Sequence, residues 1–188
     1  MHDSALQEWF PRRSTRQISV GGVAIGGGAP VSIQSMTNTD TRDVRATLAQ
    51  IERVSELGCE IIRVAVPDNV AAQALPAIVT ESPIPVIADV HFDYRLGIAS
   101  LEAGVHCLRI NPGTIPSQEQ LRELARAAVA NGRPVRIGVN SGSLEKPLLR
   151  RHGGATPAAL VESARSHCRI FEEHGCTAIK VSQIGRAS

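Results

Sequence analysis

Residues 85–113 read PVIADVHFDYRLGIASLEAGVHCLRINPG, a strand, a helix and a second strand, and in both strands apolar residues hold one parity and polar residues the other. Val86, Ala88 and Val90 alternate with Ile87, Asp89 and His91, and Leu108 and Ile110 alternate with Arg109 and Asn111. Successive side chains of a strand point to opposite faces, so each strand has one apolar side and one chargeable side. The same pattern recurs in VSIQSMT (31–37), IIRVAVP (61–67), VRIGVNSG (135–142) and TAIKVS (177–182). Between these runs, helical spacing and end signals predict helices over 43–57, with Gly58 as the stop, over 69–80, from Asp93 onward, and over 117–130, ended by Asn131-Gly132. A last helix is expected over 157–174, with Thr156 as N-cap and Pro157 at the first helical position. SLEKPLLRRHGGA, before it, reads as a long connection. At the start, QISVGGVAIGGGAP predicts a hairpin of Ile18–Val20 and Val23–Ile25 around Gly21-Gly22. Gly26 to Gly28 read as a flexible turn, because neither a phosphate-loop lysine nor a helix follows them.

Strands and helices in alternation imply a parallel α/β sheet with right-handed crossovers. In a doubly wound sheet helices cover both faces, so the strands should be apolar at both parities. A TIM-type barrel covers only the outer face and admits polar side chains inside. One apolar parity therefore predicts a TIM-type (β/α)8 barrel, here truncated to about six β/α units and preceded by a β-hairpin, since a whole barrel takes about 250 residues and the chain has 188. The expected division is a flexible tail over 1–16, a partial barrel serving as substrate-binding domain over 17–182 and an atypical tail over 183–188.

Composition narrows the partners. The net charge of +2, from 20 basic and 18 acidic residues, contains no basic run, and aromatics make up 3% of the chain. Neither a phosphate-backbone track nor a stacking platform is supplied, so no nucleic-acid partner is expected. No apolar run reaches signal-peptide or membrane-span length, which makes the cytoplasm the default location and leaves no membrane partner. Cys59, Cys107, Cys168 and Cys176 lack metal-ligand spacing and read as small core hydrophobes, so no metal site is expected from them.

Candidate chemistry lies on the inward parity. That set is Gln34, Met36, Arg63, Asp89, His91, Arg109, Asn111, Arg136, Asn140, Lys180 and Ser182. Arg63, Arg109, Arg136 and Lys180 thus converge on one cavity against a single strand carboxylate, Asp89. Like charges 4 Å apart repel by about 4 kcal/mol at an effective dielectric near 20, so such a set needs a compensating anion. Arginine's planar fork suits phosphate oxygens, and a small diphosphate is the natural guest. The alternative is a plug, in which the arginines pair with Asp89 or with loop glutamates. Asn111 and Asn140 either bind substrate hydroxyls or cap the turns that follow them. His91, at the C-terminal end of its strand, reads as a substrate contact or a core histidine. Asp93 supplies N-terminal charge to the helix after it. His106, His152, His167 and His174 fall on loops or solvent-facing helix positions and receive no role.

Four ordered stretches, QSMTNTDT (34–41), ADVHFDYR (88–95), LRINPG (108–113) and RIGVNSGSLEK (136–146), together resemble the N-terminal barrel domain of the 4-hydroxy-3-methylbut-2-en-1-yl diphosphate synthases of non-mevalonate isoprenoid biosynthesis. The likeness runs from about Arg12 to Ser182. It implies a barrel that holds methylerythritol cyclodiphosphate at its C-terminal mouth. It further implies a second domain carrying a 4Fe-4S cluster, electrons from flavodoxin or ferredoxin, and a homodimer at full length. Arg63, Arg109, Arg136 and Lys180 match the family's diphosphate-holding cations, and Asp89, His91, Asn111 and Asn140 match polar residues lining the same cavity. No residue matches a catalytic group of the family, and none of the cysteines matches a cluster ligand. The sixth strand of the family reads much like KVSVKASD, whereas this chain has KVSQIGRAS. The cluster domain has no counterpart, so a fragment inactive in the redox reaction is expected, with open edges on its first and sixth barrel strands. Two other readings stand beside this one. One is a non-catalytic diphosphate-binding remnant, and the other is a barrel enzyme similar to the dihydropteroate synthases.

Overall fold

A computed structural model describes residues 13–115 and 117–183; most of the expected N-terminal tail, and the C-terminal tail past Gln183, lie outside the described residues. Strands β1 (Ile18–Val20) and β2 (Val23–Ile25) form the predicted antiparallel hairpin. Gly21 and Gly22 have φ of 56° and 95°, as a primed turn requires. The glycines from 26 to 28 form a turn pinned by two hydrogen bonds, from Ala29 N to the Gly26 carbonyl and from Gly27 N to Thr15 Oγ1.

The remaining elements alternate: β3 (Gln34–Met36), α1 (Val44–Glu56), β4 (Ile61–Ala65), α2 (Asn69–Glu81), β5 (Val86–Val90), α3 (Tyr94–Glu102), β6 (Cys107–Ile110), α4 (Gln118–Ala130), β7 (Val135–Val139), α5 (Lys146–His152), α6 (Pro157–Glu173) and β8 (Ile179–Gln183). Strands β3 to β8 lie in sequence order in one parallel six-stranded sheet, curled as part of a TIM-type barrel, with β3 and β8 at its edges. Local chemistry explains the helix starts. Asp43, Asp68, Asp93, Ser117 and Thr156 each stand before a helix and accept a backbone N–H of its first turn, satisfying donors that the helix cannot.

Two elements differ from the sequence-based expectation. Strand β3 is shorter than 31–37, with Val31 and Ile33 exposed outside it. An edge strand has a ladder on one side only, so its ends lose support first. The connection after β7 contains helix α5, seven residues long with Pro147 in its first turn and Gly153 in left-handed conformation at its end. Two turns are too short for a periodicity to stand out.

The apolar parity of the strands packs under the helices as one continuous layer that includes Ile62, Val64, Val86, Ala88, Leu108, Ile110, Val135, Ile137, Leu75, Leu124 and Phe171. The inward parity is divided by height. At the N-terminal end, Ile61, Ile87 and Cys107 face inward and meet Val20 of the hairpin, with Val23 and Ile25 packed around them. Hairpin and strands thus make an apolar floor, and the charged inward residues stand above it. Burial pushes the Cys107 thiol up to about 12 and the Cys176 thiol up to about 11, which fits their reading as inert core groups. No helix among the described residues is long and apolar enough to cross a membrane.

The floor makes a stability prediction. Val20 is fully buried among Ile61, Ile87 and Cys107. Val20→Ala should cost about 2 kcal/mol in urea unfolding, with an unchanged m-value. The same truncation at exposed Val129 should stay within about 0.5 kcal/mol.

Candidate anion site

Parallel pairing carries one inward row across the sheet. Asp89 is in register with Arg109, Arg109 with Arg136, and Arg136 with Lys180. Arg63 starts one step lower, opposite Ile87, but its side chain reaches upward to place Nε 3.3 Å from Asp89 Oδ2. The row therefore sets two of the four predicted cations, Arg63 and Arg109, on one carboxylate, with Arg136 beside Arg109 and Lys180 beside Arg136.

Asp89 and Arg109 are 5% and 7% exposed, and Arg109 Nη1 donates to Asp89 Oδ1 at 2.7 Å. The same Nη1 lies 2.7 Å from His91 Nε2. Arginine has donors and no acceptor, so neutral His91 accepts here and carries its proton on Nδ1. Burial pushes the His91 pKa down, and the charges of Arg109 and Arg63 push the same way against the upward pull of Asp89. His91 is thus neutral at pH 7, held between the carboxylate and the guanidinium.

The two cations farther along the row have no such partner. Arg136 Nη1 donates across the interior to Gln34 Oε1 at 3.0 Å, and no carboxylate of the described residues pairs with Arg136 or Lys180. Burial, then the positive charges of Arg63 and Arg109, pull Arg136 below its ordinary value. Lys180 is pulled down by burial and then by Arg136. The Nε atoms of Arg109 and Arg136 are buried without a hydrogen-bond partner. A plug built of ion pairs would have matched each cation with an acid. Asp89 instead serves Arg63 and Arg109 together, and the remaining positive charge stands uncompensated in a poorly solvated interior.

Asn111 and Asn140 begin the loops after β6 and β7, and neither side chain caps the short 3-10 turn that follows it. Asn111 Nδ2 donates to Ser143 Oγ at 2.7 Å, and Ser143 Oγ donates in turn to the Asn140 carbonyl at 3.3 Å. The hydroxyl's single proton is spent on Asn140, so Asn111 must offer its amide N–H, and its buried Oδ1 is left as an acceptor without a partner. The Asn140 side chain is half-buried beside this loop. Asp93, expected to supply N-terminal charge to α3, is also its N-cap and accepts the Arg95 N–H at 3.0 Å. Phe92, between His91 and Asp93, has a φ of 65° and an exposed ring.

Sequence reasoning missed Gly138, which lies between Arg136 and Asn140 on the inward parity. A Cβ there would stand 2.7 Å from Arg109 Nη2 and 2.9 Å from its Nε, so the missing side chain is the space the guanidinium occupies. A glycine inside a strand was the available signal. Ser143 was missed as well, and it carried no signal in the pattern. One histidine set aside as solvent-facing on a helix, His167, is buried, and His106, on a loop as expected, has a backbone partner. His167 is 7% exposed and bonded to Glu145, and His106 Nδ1 accepts the Val86 N–H at 3.0 Å. An i, i+4 stripe places a residue on a helix face, but it does not show what lies against that face.

Residues 15–185 match the family model described as the GcpE TIM-barrel domain. The chain belongs to that family. Relatives of this GcpE barrel include proteins of Magnetococcus marinus, 52% identical over 92% of this chain and 46% of the relative, and of Salinispora tropica, 56% identical over 92% and 44%. Both are named 4-hydroxy-3-methylbut-2-en-1-yl diphosphate synthase (flavodoxin). The chain spans about half the length of the curated relatives it matches. Among solved structures, the Yersinia pestis dihydropteroate synthase aligns at a TM-score of 0.61 and 13% identity, covering 88% of this chain and 61% of that one. The Thermotoga maritima phospho-2-dehydro-3-deoxyheptonate aldolase aligns at 0.64 and 14%, covering 97% and 48%. At such identities these likenesses show the barrel fold alone.

The sequence resemblance implies a 4Fe-4S cluster on a second domain, and the described residues of this barrel do not themselves fit one. No group of three or more His, Cys, Asp or Glu side chains among them is placed to hold a metal. The thiols of Cys107 and Cys176 are buried and held protonated, whereas a cluster takes thiolates.

The electrostatics of His91 are open to direct measurement. An NMR titration of the imidazole should give a pKa below the ordinary 6.5, and Asp89→Asn should lower it further by removing the charge that raises it. The folded chain takes up this proton at lower pH than the unfolded chain does. The resulting contribution to stability is therefore whole above about pH 6.5 and is lost as pH falls through the window down to the folded pKa; His91→Gln should remove that slope.

Proposed function

We propose that the charged row is the diphosphate-binding part of a substrate site, and that the chain is the substrate barrel of a 4-hydroxy-3-methylbut-2-en-1-yl diphosphate synthase. The reaction is the conversion of 2-C-methyl-D-erythritol 2,4-cyclodiphosphate to 4-hydroxy-3-methylbut-2-en-1-yl diphosphate. Two electrons and a proton are taken up, a ring C–O bond opens to free a phosphate oxyanion, and one hydroxyl leaves with that proton as water. The observation that carries this reading is the charge imbalance along the inward face, two cations on the one carboxylate of Asp89 and two more, Arg136 and Lys180, beyond it with none. Relatives more than half identical over nine-tenths of the chain, named for making a diphosphate, support the choice of that anion.

The roles follow from the contacts. Asp89 orients Arg109 and Arg63, so that their remaining N–H groups meet phosphoryl oxygens with little reorganisation. Arg136 and Lys180 supply the uncompensated charge. Charge-assisted bonds of this kind contribute about 1.5 to 3 kcal/mol each. His91, neutral with its proton on Nδ1, is a polar contact at the rim. Asn111 Oδ1 suits a substrate hydroxyl rather than a phosphate, because it can only accept. Asn140 is a second polar contact beside it. No residue here is assigned a redox step. The electrons belong to the 4Fe-4S cluster and the flavodoxin or ferredoxin of the whole enzyme, and the barrel's part is to hold and orient the substrate. A pterin-processing reading has the fold likeness at 13% identity in its support and no more.

Isothermal titration with the cyclodiphosphate tests the proposal. The folded chain should bind it, and Arg109→Ala with Arg136→Ala should weaken binding by about a hundredfold or more. Gly138→Ala, which displaces the Arg109 guanidinium, should cost about tenfold. Absence of binding by a folded sample, or binding undiminished in the double variant, would count against the site. A preference for pterin diphosphate would transfer the chain to the other class.

A further inference from the structure

Glu145 stands at the N-cap position of α5, yet its carboxylate makes no cap hydrogen bond. It turns to α6 instead, where Ser163 Oγ donates to Oε2 at 2.9 Å and His167 Nε2 meets Oε1 at 2.5 Å. Ser163 and His167 are 2% and 7% exposed, so the grip is sunk into the helix packing. Burial opposes ionisation of Glu145, but the bond from His167 leads the contributions that outweigh it and hold the carboxyl below its ordinary range. A carboxylate that leaves its own helix N-terminus for a buried pair on another helix anchors the segment it belongs to.

That segment is the loop after β7. Leu144, next to Glu145, is buried in the apolar layer, and the residue before it, Ser143, holds the Asn111 amide. The Ser143 carbonyl also lies where a Cβ on Gly113 would be, so the loops after β6 and β7 touch backbone to backbone. An unbroken set of contacts therefore runs from α6 through Glu145 and Ser143 to Asn111 at the anion site.

We propose that Glu145, gripped by Ser163 and His167, is a positioning residue that sets the loop over 140–145 and, through Ser143, the orientation of Asn111. The proposal rests on the anion-site reading for its consequence in binding, but the geometry of the loop can be tested without it. In the 188-residue chain, Glu145→Ala should speed hydrogen exchange of the Ser143 amide and shift the Asn111 side-chain amide resonance. It should also weaken inorganic pyrophosphate binding by about tenfold, whereas Glu145→Gln, which keeps an acceptor for both partners, should return binding to within about twofold. Ser163→Ala, which deletes one hydroxyl and no apolar contact, should give the same spectral shift at smaller amplitude. An Asn111 signal and a Ser143 exchange rate unmoved in both Glu145→Ala and Ser163→Ala overturn the proposal. So does a pyrophosphate loss that Glu145→Gln fails to restore. If the wild-type chain binds no pyrophosphate, the anion-site reading fails, and the two loop measurements still decide this one.

Discussion

The arrangement depends on one carboxylate shared by too many cations. Asp89 is almost wholly buried, accepts from Arg109 and lies in ion-pair contact with Arg63, and His91 fills the space beside them. Removing Asp89 would leave the buried Arg109 guanidinium without a carboxylate, which is costly in a protein interior. The pair is satisfied, and the row beyond it is not. Arg136 has a neutral amide for a partner, and Lys180 has an arginine as its neighbour in register. The fold bears that imbalance because the rest of the barrel is apolar and well packed, and the imbalance makes the mouth attractive to a small polyanion.

The barrel interior is built in two storeys. Ile61, Ile87 and Cys107 close its N-terminal end against Val20 of the hairpin, so the charged groups above have a dry, low-dielectric base rather than a water-filled bore. Electrostatic interactions are stronger over such a base. The hairpin lies beneath the charged row, and its Ile25 shares a cavity with Lys180. Its part is to exclude water from beneath the site.

Above the row, the loops after β6 and β7 are held by specific contacts. Asn111 is oriented by Ser143, Ser143 by Asn140, and the stretch leading into α5 by the grip of α6 on Glu145. Recognition groups on a loop reach useful precision when buried partners fix them in this way. The helical layer thereby takes part in the chemistry of the mouth as well as covering the sheet.

Much of this was legible in the chain itself. A period of two with a single apolar parity specifies strands covered on one side, and that requirement alone selects a barrel over a doubly wound sheet; the parity also named Arg63, Asp89, Arg109, Arg136 and Lys180 as sharing an interior. The helix starts were legible because a capping side chain acts on the backbone two or three residues away. Helix α5 was hidden because two turns are too short to show a period, and Ser143 because a serine in a loop carries no signature. Tertiary structure alone decided which cation takes the carboxylate and which takes Gln34, since long side chains cross between rows and choose partners by reach. It also decided that Gly138 is the space for a guanidinium and that His167 is buried against Glu145. Parity and spacing are properties of neighbours along the chain, whereas these pairings join residues that folding alone brings together.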